Sequence, residues 1–421
     1  MEIPWAFLPF DVSMIIVYLS SHASTATLNL GSNMEFLYLS PEFPPNYAHF
    51  ILALDKLGVN VWAVGEAEFH ELPERLRSAI RYYVRADLHS GASAAHAAAT
   101  LMAAQQERGA SPGFDRIESH NENWLGLEAQ LNETLGVDGI RPNDLERLKK
   151  KSAMKRVFQS LGLPVAPGEP VQDISHALAL AGALGYPLVL KPDEGVGAAG
   201  IHRVDDAAAL QNLAAEITPG SHLLEAFIDA PIVSYDGLAD TDGNILFENS
   251  LVYGAGVLAY VQGEDTFFYV DRNIPIALAS VGRRLVEAFN VRGKFFHFEF
   301  FAQGGTYMPI EINCRPPGGA ILDMMNYSID GDLYAAYARM ISRKGDVQLP
   351  NKRYYCAYVG RRDRAYRLSH AAAAARCGER LVEFGENPPV FQGAMSRYRY
   401  IVRSPSLADL LEVSRDILAR D

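Results

Sequence analysis

The stretch His297–Gly319, HFEFFAQGGTYMPIEINCRPPGG, decides how the rest of the chain reads. Phe295, Phe296, Phe298, Phe300 and Phe301 make its first arm a β-prone, largely buried strand. Gly304 and Gly305 supply a turn, Tyr307 to Arg315 form the return arm, and Pro316 and Pro317 end it. Side chains alternate across a strand, so Glu311, Asn313 and Arg315 share one face. Glu299 joins them if the loop has three residues, Gly304 to Thr306, which sets its Cβ roughly 5 Å from that of Glu311. A two-residue turn places the two carboxylates on opposite faces unless a bulge intervenes.

Two carboxylates that close in an apolar setting either take up a proton or hold a cation. The Asn carbonyl beside them favours the cation. Three hard oxygens, with no thiolate and little imidazole, suit magnesium, with manganese as the alternative; magnesium keeps waters and phosphate oxygens in its remaining positions. Arg315, on the same face, then contacts a phosphate or a carboxylate. An isolated pattern of this kind is equally a hairpin with a solvated polar face, so its meaning depends on the rest of the chain.

A chain of 421 residues is too long for one ordinary core, and two or three domains are expected. Hydrophobic content of 49% and charged content of 21% describe a globular protein in water, and a net charge of -12 speaks against a nucleic-acid partner. Cys314, Cys356 and Cys377 are odd in number and widely spaced, which fits neither a disulfide framework nor a zinc site and implies a reducing, cytoplasmic setting. Alternation turns Cys314 away from Glu311 and Asn313, into core packing. The apolar run Ile3 to Leu19 lacks a basic flank, the first Lys or Arg being Lys56, and Asp11 interrupts it, so neither a targeting signal nor a membrane span is expected. Residues 1–33 read as an extension ahead of the regular pattern.

From Met34 the chain alternates. MEFLYLS is a strand, AHFILALDKLG an amphipathic helix ending at a glycine, and VNVWAVG the next strand. Tyr82 to Val84, a helix over 92–107, Phe114 to Ser119 and a helix over 123–135 follow, which predicts a parallel sheet flanked by helices over residues 34–141. No Gly-rich dinucleotide fingerprint follows the first strand. Glu42, Asn46, Tyr47 and Glu122 lie on loops that line ligand sites in such folds, and are substrate candidates. After Pro142 comes a basic helix, DLERLKKKSAMKRVFQSLGLP, and then YPLVLKPDEGVGAAGIHRV, a strand ending in Lys191 followed by a glycine loop. A Lys beside such a loop can place its ammonium on a phosphate while loop N–H groups cradle the oxygens, although a plain hairpin turn has the same look.

The order of these parts resembles the ATP-grasp superfamily. KSAMKRVFQSLGLPV is similar to its first nucleotide segment, LVLKPDEGVGAAGI to its second, LLEAFI to its hinge, and FEFF with EINCRPPGG to its metal segments. The resemblance implies a two-lobed fold, with a small lobe over 142–228 and a large lobe over 229–345; beyond it the alternating pattern itself reads as an α+β cap over 346–421. It implies that Lys151 and Lys191 contact phosphates and that Gly195, Gly197 and Gly200 form a flap. Glu225 would face the adenine amino group, with the backbone of Ala226 and Phe227 on the ring. Glu299, Glu311 and Asn313 would hold magnesium, and Arg315 would lie near the reacting phosphoryl group. The fold class is thus α/β and α+β: an N-terminal parallel α/β domain followed by a two-lobed ATP-grasp fold.

The implied activity is ATP-dependent ligation of a small-molecule carboxylate to an amine through an acylphosphate, releasing ADP and phosphate, with Arg315 and Lys191 as catalytic residues. Dimerisation is a family-level expectation, and no nucleic acid or membrane partner is implied. Two other readings stand beside it: activation of bicarbonate in the manner of biotin carboxylase, and a nucleotide-binding protein without catalysis. The last draws on one departure from the family pattern, the missing acidic ribose ligand after the hinge, for which Asp236 is a substitute. Arg272 and His297 are additional substrate candidates, against an ion pair and a packed core histidine respectively.

Overall fold

The computed structural model describes residues 34–195, 200–254, 260 and 263–420, together with the backbone of Val17–Leu19. By contacts the chain divides into two compact units, Met1–His120 with Trp124–Pro142, and Asn121–Asn123 with Asn143–Asp421.

The first unit is a five-stranded sheet among the described residues. Its strands are β1 (Val17–Leu19), β2 (Glu35–Leu39), β3 (Asn60–Gly65), β4 (Tyr82–Arg85) and β5 (Arg116–Glu118), in the order β1-β4-β3-β2-β5. The pairings of β2, β3, β4 and β5 are parallel, because helices make each crossover: α1 (Ala48–Lys56), α2 (Glu74–Ala79), α3 (Gly91–Glu107) and later α4 (Leu125–Leu135). Ser90 starts α3 by accepting a hydrogen bond from the Ser93 N–H, a standard way of satisfying a first-turn donor. Leu37, Trp62, Val64, Val84, Leu101 and Ile117 form its core. One expectation needs correction. Within residues 1–33, read as an extension, Val17–Leu19 adds antiparallel to the open edge of β4, where unpaired backbone groups await a partner; the remainder of 1–33 lies outside the described residues. Tyr47, a substrate candidate on sequence, is buried edge-on against Phe50, and Glu42 accepts the Glu66 N–H at 2.9 Å, so both serve the packing of this unit.

The second unit holds two sheets. Short helices α5 (Leu145–Lys149) and α6 (Lys151–Ser160) lead into a four-stranded antiparallel sheet, ordered β6-β9-β7-β8, made of β6 (Gly168–Val171), β7 (Leu188–Pro192), β8 (His202–Val204) and β9 (His222–Ala226). Helices α7 (Ile174–Leu184) and α8 (Ala207–Asn212) cover one face through Ala177, Ala181, Leu188, Leu190 and Leu224. The larger sheet has nine strands among the described residues. Along the chain these are β10 (Ile232–Ala239), β11 (Ile245–Asn249), β12 (Leu251–Tyr253), β13 (Phe267–Val270), β14 (Lys294–Gln303), β15 (Thr306–Asn313), β16 (Tyr355–Arg361), β17 (Leu381–Glu386) and β18 (Tyr398–Ser404). Helices α9 (Ile276–Ala288), α10 (Ile321–Ile329), α11 (Leu333–Ser342), α12 (His370–Cys377), α13 (Gln392–Met395) and α14 (Leu407–Leu418) complete the chain.

The C-terminal residues, read as a separate cap, continue the large sheet. β16 pairs antiparallel with β13, Phe267 opposite Val359, and β18 and β17 follow outward. Apolar residues on both sides explain the join: Val359, Ala357, Tyr400 and Val402 pack under α14, while Phe268 stacks on Tyr358 at 5.0 Å.

Candidate functional site

The hairpin at the centre of the sequence is β14 and β15, joined by the two-residue turn Gly304–Gly305 with φ of +59° and +80°. Both torsions are positive, as a turn that follows the twist of its strands requires, and glycine adopts them without strain. The pairing begins at Gln303 with Thr306 and runs unbroken to Phe300 with Pro309; Glu299 then pairs with Glu311, leaving Ile310 as an extra residue. That bulge restores the shared face which the short turn would have removed.

Glu299 is held from two sides. Tyr253 donates its hydroxyl at 3.2 Å, and His297 Nε2 lies at 3.4 Å. His297 Nδ1 in turn meets Asp236 Oδ1 at 2.5 Å, and Asp236 Oδ2 accepts from Ser234 Oγ at 2.7 Å and Asn249 Nδ2 at 3.1 Å. Burial drives His297 toward neutrality, but the Asp236 carboxylate beside it outweighs that and raises its pKa to about 9. Burial likewise pushes Glu299 up, and the His297 cation and the Tyr253 hydroxyl hold it below the usual carboxylate range. Glu311 receives Lys151 Nζ at 3.2 Å and Asn313 Nδ2 at 3.4 Å. Arg315 donates to Asn313 Oδ1 at 3.3 Å and places Nε 3.3 Å from Glu122 Oε2. Burial raises the Glu122 pKa, with Arg315 and Lys149 working against it.

A second group forms on the small sheet. Glu225, on β9, is buried between Lys191 Nζ at 2.6 Å and Lys155 Nζ at 2.5 Å. Burial alone would raise its pKa; Lys191 and Lys155 together bring it below the ordinary value. Lys155 was not singled out from sequence. It lies four residues after Lys151, so the two share one face of α6, about 6 Å apart along the axis. One lysine reaches the carboxylate of the large sheet and the other the carboxylate of the small sheet. Asp193, just past β7, fixes the start of that helix. Its carboxylate accepts Ser152 N–H at 2.7 Å and Ser152 Oγ at 2.6 Å, and its carbonyl accepts Lys151 N–H at 2.9 Å. The only sequence signal for it was an acid after KP.

The structure therefore gathers Glu299, Glu311, Asn313 and Arg315 along the hairpin and its exit, with Lys151 reaching them from α6, and sets Lys191 with Glu225 on the small sheet. Gly195 and Gly200 flank the glycine loop, while Gly197 lies outside the described residues. Three expectations change. The N–H groups of Ala226 and Phe227 are engaged by Pro167 O at 2.8 Å and Pro187 O at 3.1 Å, so neither backbone donor is left over for a ligand. Asp236 is fully buried on His297, Ser234 and Asn249 and is no ribose ligand. Arg272 donates to Pro405 O at 3.2 Å and lies over the Tyr355 ring, which makes it a brace for the C-terminal strands.

Among the described residues no group of three His, Cys, Asp or Glu side chains is placed to hold a metal. Glu299, Glu311 and the Asn313 amide oxygen are a hard-oxygen set that fits magnesium, provided other oxygens fill its sphere. No helix among the described residues is long and apolar enough to cross a membrane.

Residues 150–251 match the family model described as the carbamoyl-phosphate synthase L chain, ATP binding domain. The chain is 30% identical over 163 residues to the mitochondrial methylcrotonoyl-CoA carboxylase subunit alpha of Arabidopsis thaliana, covering 35% of this chain and 22% of that one. It is 30% identical over 102 residues to biotin carboxylase 2 of Bacillus subtilis, covering 24% and 22%. The match thus spans about a fifth of these relatives, at 22% of each. Among solved structures, L-amino acid ligase from Bacillus licheniformis superposes with a TM-score of 0.70 at 16% identity, covering 92% of this chain and 97% of that one. The biotin carboxylase domain of Hydrogenobacter thermophilus 2-oxoglutarate carboxylase, solved with MgADP and bicarbonate, gives 0.65 at 16% identity over 89% and 87%.

The matched segment takes in the small antiparallel sheet and the first strands of the large one. Residues 150–251 thus match the ATP-binding domain of that family, and the fold is the one seen in these two solved structures.

Proposed function

We propose that this protein is an ATP-dependent carboxylate–amine ligase. The observation that supports it most is the bridging by α6, whose Lys151 and Lys155 join the Glu311 hairpin to the Glu225 strand. A nucleoside triphosphate is long and charged at one end only. It requires a polar pocket for its base and concentrated positive charge for its phosphates, and α6 ties two such regions together.

Carboxylates resist attack by amines because oxide is a poor leaving group. The substrate carboxylate oxygen attacks the γ-phosphorus of ATP, ADP departs, and an acylphosphate results. The amine then attacks the acyl carbon, phosphate leaves with the C–O electron pair, and the amine loses its proton. Lys151, Lys191 and Arg315 offset the charge that gathers on the phosphoryl oxygens. Glu299, Glu311 and Asn313 would hold magnesium, which when bound neutralises phosphate charge and fixes its orientation. Asp236 favours the charged form of His297, and His297 in turn holds Glu299 below the usual carboxylate range.

Release of ADP and phosphate from MgATP, measured across amino acids singly and in pairs, tests this reading, with Glu311→Gln as control. Turnover that depends on a pair and vanishes in the variant supports it. AMP in place of ADP overturns the acylphosphate route. The two carboxylase relatives at 30% identity favour one second reading, bicarbonate activation, and turnover that requires bicarbonate in place of an amino acid would select it.

A further inference from the structure

The ligase reading leaves open what limits the acceptor, and on that reading α13, between β17 and β18, takes part in the site. The segment Pro316–Ala320 carries the chain from Arg315 to α10. Gly319 lies in it at φ +63°, and a Cβ built there would stand 2.8 Å from Met395 Cε and 3.6 Å from Met395 Sδ. The place of a side chain at 319 is thus filled from the far end of the chain. Gly319 is four residues past Arg315, so its Cα is within about 14 Å of that of the arginine even in a fully extended chain.

Met395 stands on a fixed base. Its carbonyl accepts from the Tyr358 hydroxyl at 2.8 Å and from Asn387 Nδ2 at 3.2 Å. The next residue, Ser396, is fully buried at φ +64° and meets Thr266 Oγ1 at 3.0 Å, and the same hydroxyl donates to Ala394 O at 3.0 Å. Arg362 binds Gly393 O at 3.0 Å and Glu264 O at 2.9 Å, tying this turn to the residues before β13. Above that base the thioether side chain is half-buried, unbranched and adaptable. A pinned backbone with an apolar, movable tip is what a wall that senses substrate size requires.

We propose that Met395 is a specificity-determining residue: it forms the apolar wall of the acceptor site beside the Arg315–Gly319 segment and restricts the amine substrate to a small side chain. The test compares the parent, Met395→Ala and Met395→Leu, with L-alanine and L-phenylalanine as amine probes. In Met395→Ala the ratio of kcat/KM for phenylalanine over alanine rises ten-fold or more, while Met395→Leu, which keeps the bulk, stays within about two-fold of the parent. An unchanged ratio in Met395→Ala overturns the inference. Calorimetric titration of the same two amino acids into each protein with MgADP gives a readout independent of turnover. If the parent shows no ligase turnover, a relative gain in phenylalanine affinity in Met395→Ala still supports the wall, and the ligase reading fails alone. Binding with unchanged ranking overturns the wall alone, and a parent that binds neither amino acid overturns both.

Discussion

Removing the Asp193 carboxylate should loosen the first turn of α6 and, through it, Lys151 before Lys155. The carboxylate is 4% exposed and accepts two hydrogen bonds from Ser152, at 2.7 and 2.6 Å. One of them satisfies a first-turn N–H, a role worth about 1 kcal/mol, and the negative charge opposes the positive end of the helix. Hydrogen bonds to a charged group contribute roughly 1.5–3 kcal/mol each, so Asp193→Ala is expected to cost about 3 kcal/mol once water partly replaces what is lost. With a urea slope of about 3 kcal/mol/M for a unit of this size, the midpoint falls by about 1 M. Asp193→Asn keeps one acceptor oxygen and loses about a third of that. Lys151 is the first residue of the helix and Lys155 lies one turn inside, so nucleotide affinity in Asp193→Ala drops about ten-fold, near 1.4 kcal/mol, through the phosphate end. Urea titration followed by fluorescence, with ADP titration on the same samples, checks both. A midpoint within about 0.2 M of the parent would refute the account of how α6 is anchored.

Three other outcomes follow from the same geometry. Lys155→Met leaves Glu225 with one cation, so ATP affinity is expected to weaken about ten-fold, and more steeply toward acid pH than in the parent because the Glu225 pKa rises; equilibrium nucleotide binding between pH 5 and 8 measures it. His297 has its pKa raised from 6.5 to about 9 by Asp236, so its stabilising contribution is complete below about pH 6.5 and is lost as pH rises through 9. Thermal midpoints of the parent should therefore fall across that window more than those of His297→Gln, and parallel curves would contradict the pairing. Gly282→Ala places a methyl carbon 2.1 Å from Tyr235 Cδ1, a fully buried residue of β10 whose ring stacks on Phe296, and should cost about 1–3 kcal/mol in urea unfolding.

The sequence made the hairpin legible because five phenylalanines, two glycines and the E-x-N-x-R run each act over a few residues. Whether Glu299 and Glu311 meet was not decidable there. The turn proved short, and the bulge that compensates falls at Ile310, a residue with no local mark of irregularity. Lys155 was passed over because helical spacing says which residues share a face and not what that face meets. Asp193 caps a helix that begins 42 positions earlier in sequence, and such long-range caps leave no short motif. The strand at Val17–Leu19 and the union of β16 with β13 are likewise pairings between distant segments, set by which sheet edges are open. Asp236, offered as a ribose ligand, was misassigned because its neighbours in space, His297 and Asn249, are remote in the chain.

The continuity of the large sheet into the C-terminal strands bears on how such a protein can be cut, fused or recombined. A chain ended before Tyr355 would leave β13 as a bare edge whose backbone donors and acceptors invite pairing with another molecule, so the shortened product should be prone to aggregate. Exchange with the tail of a relative would have to preserve the register that sets Phe267 against Val359, as well as the turn that presents Met395. The last 67 residues are therefore expected to be transferable only together with the rest of the large sheet, as one cassette.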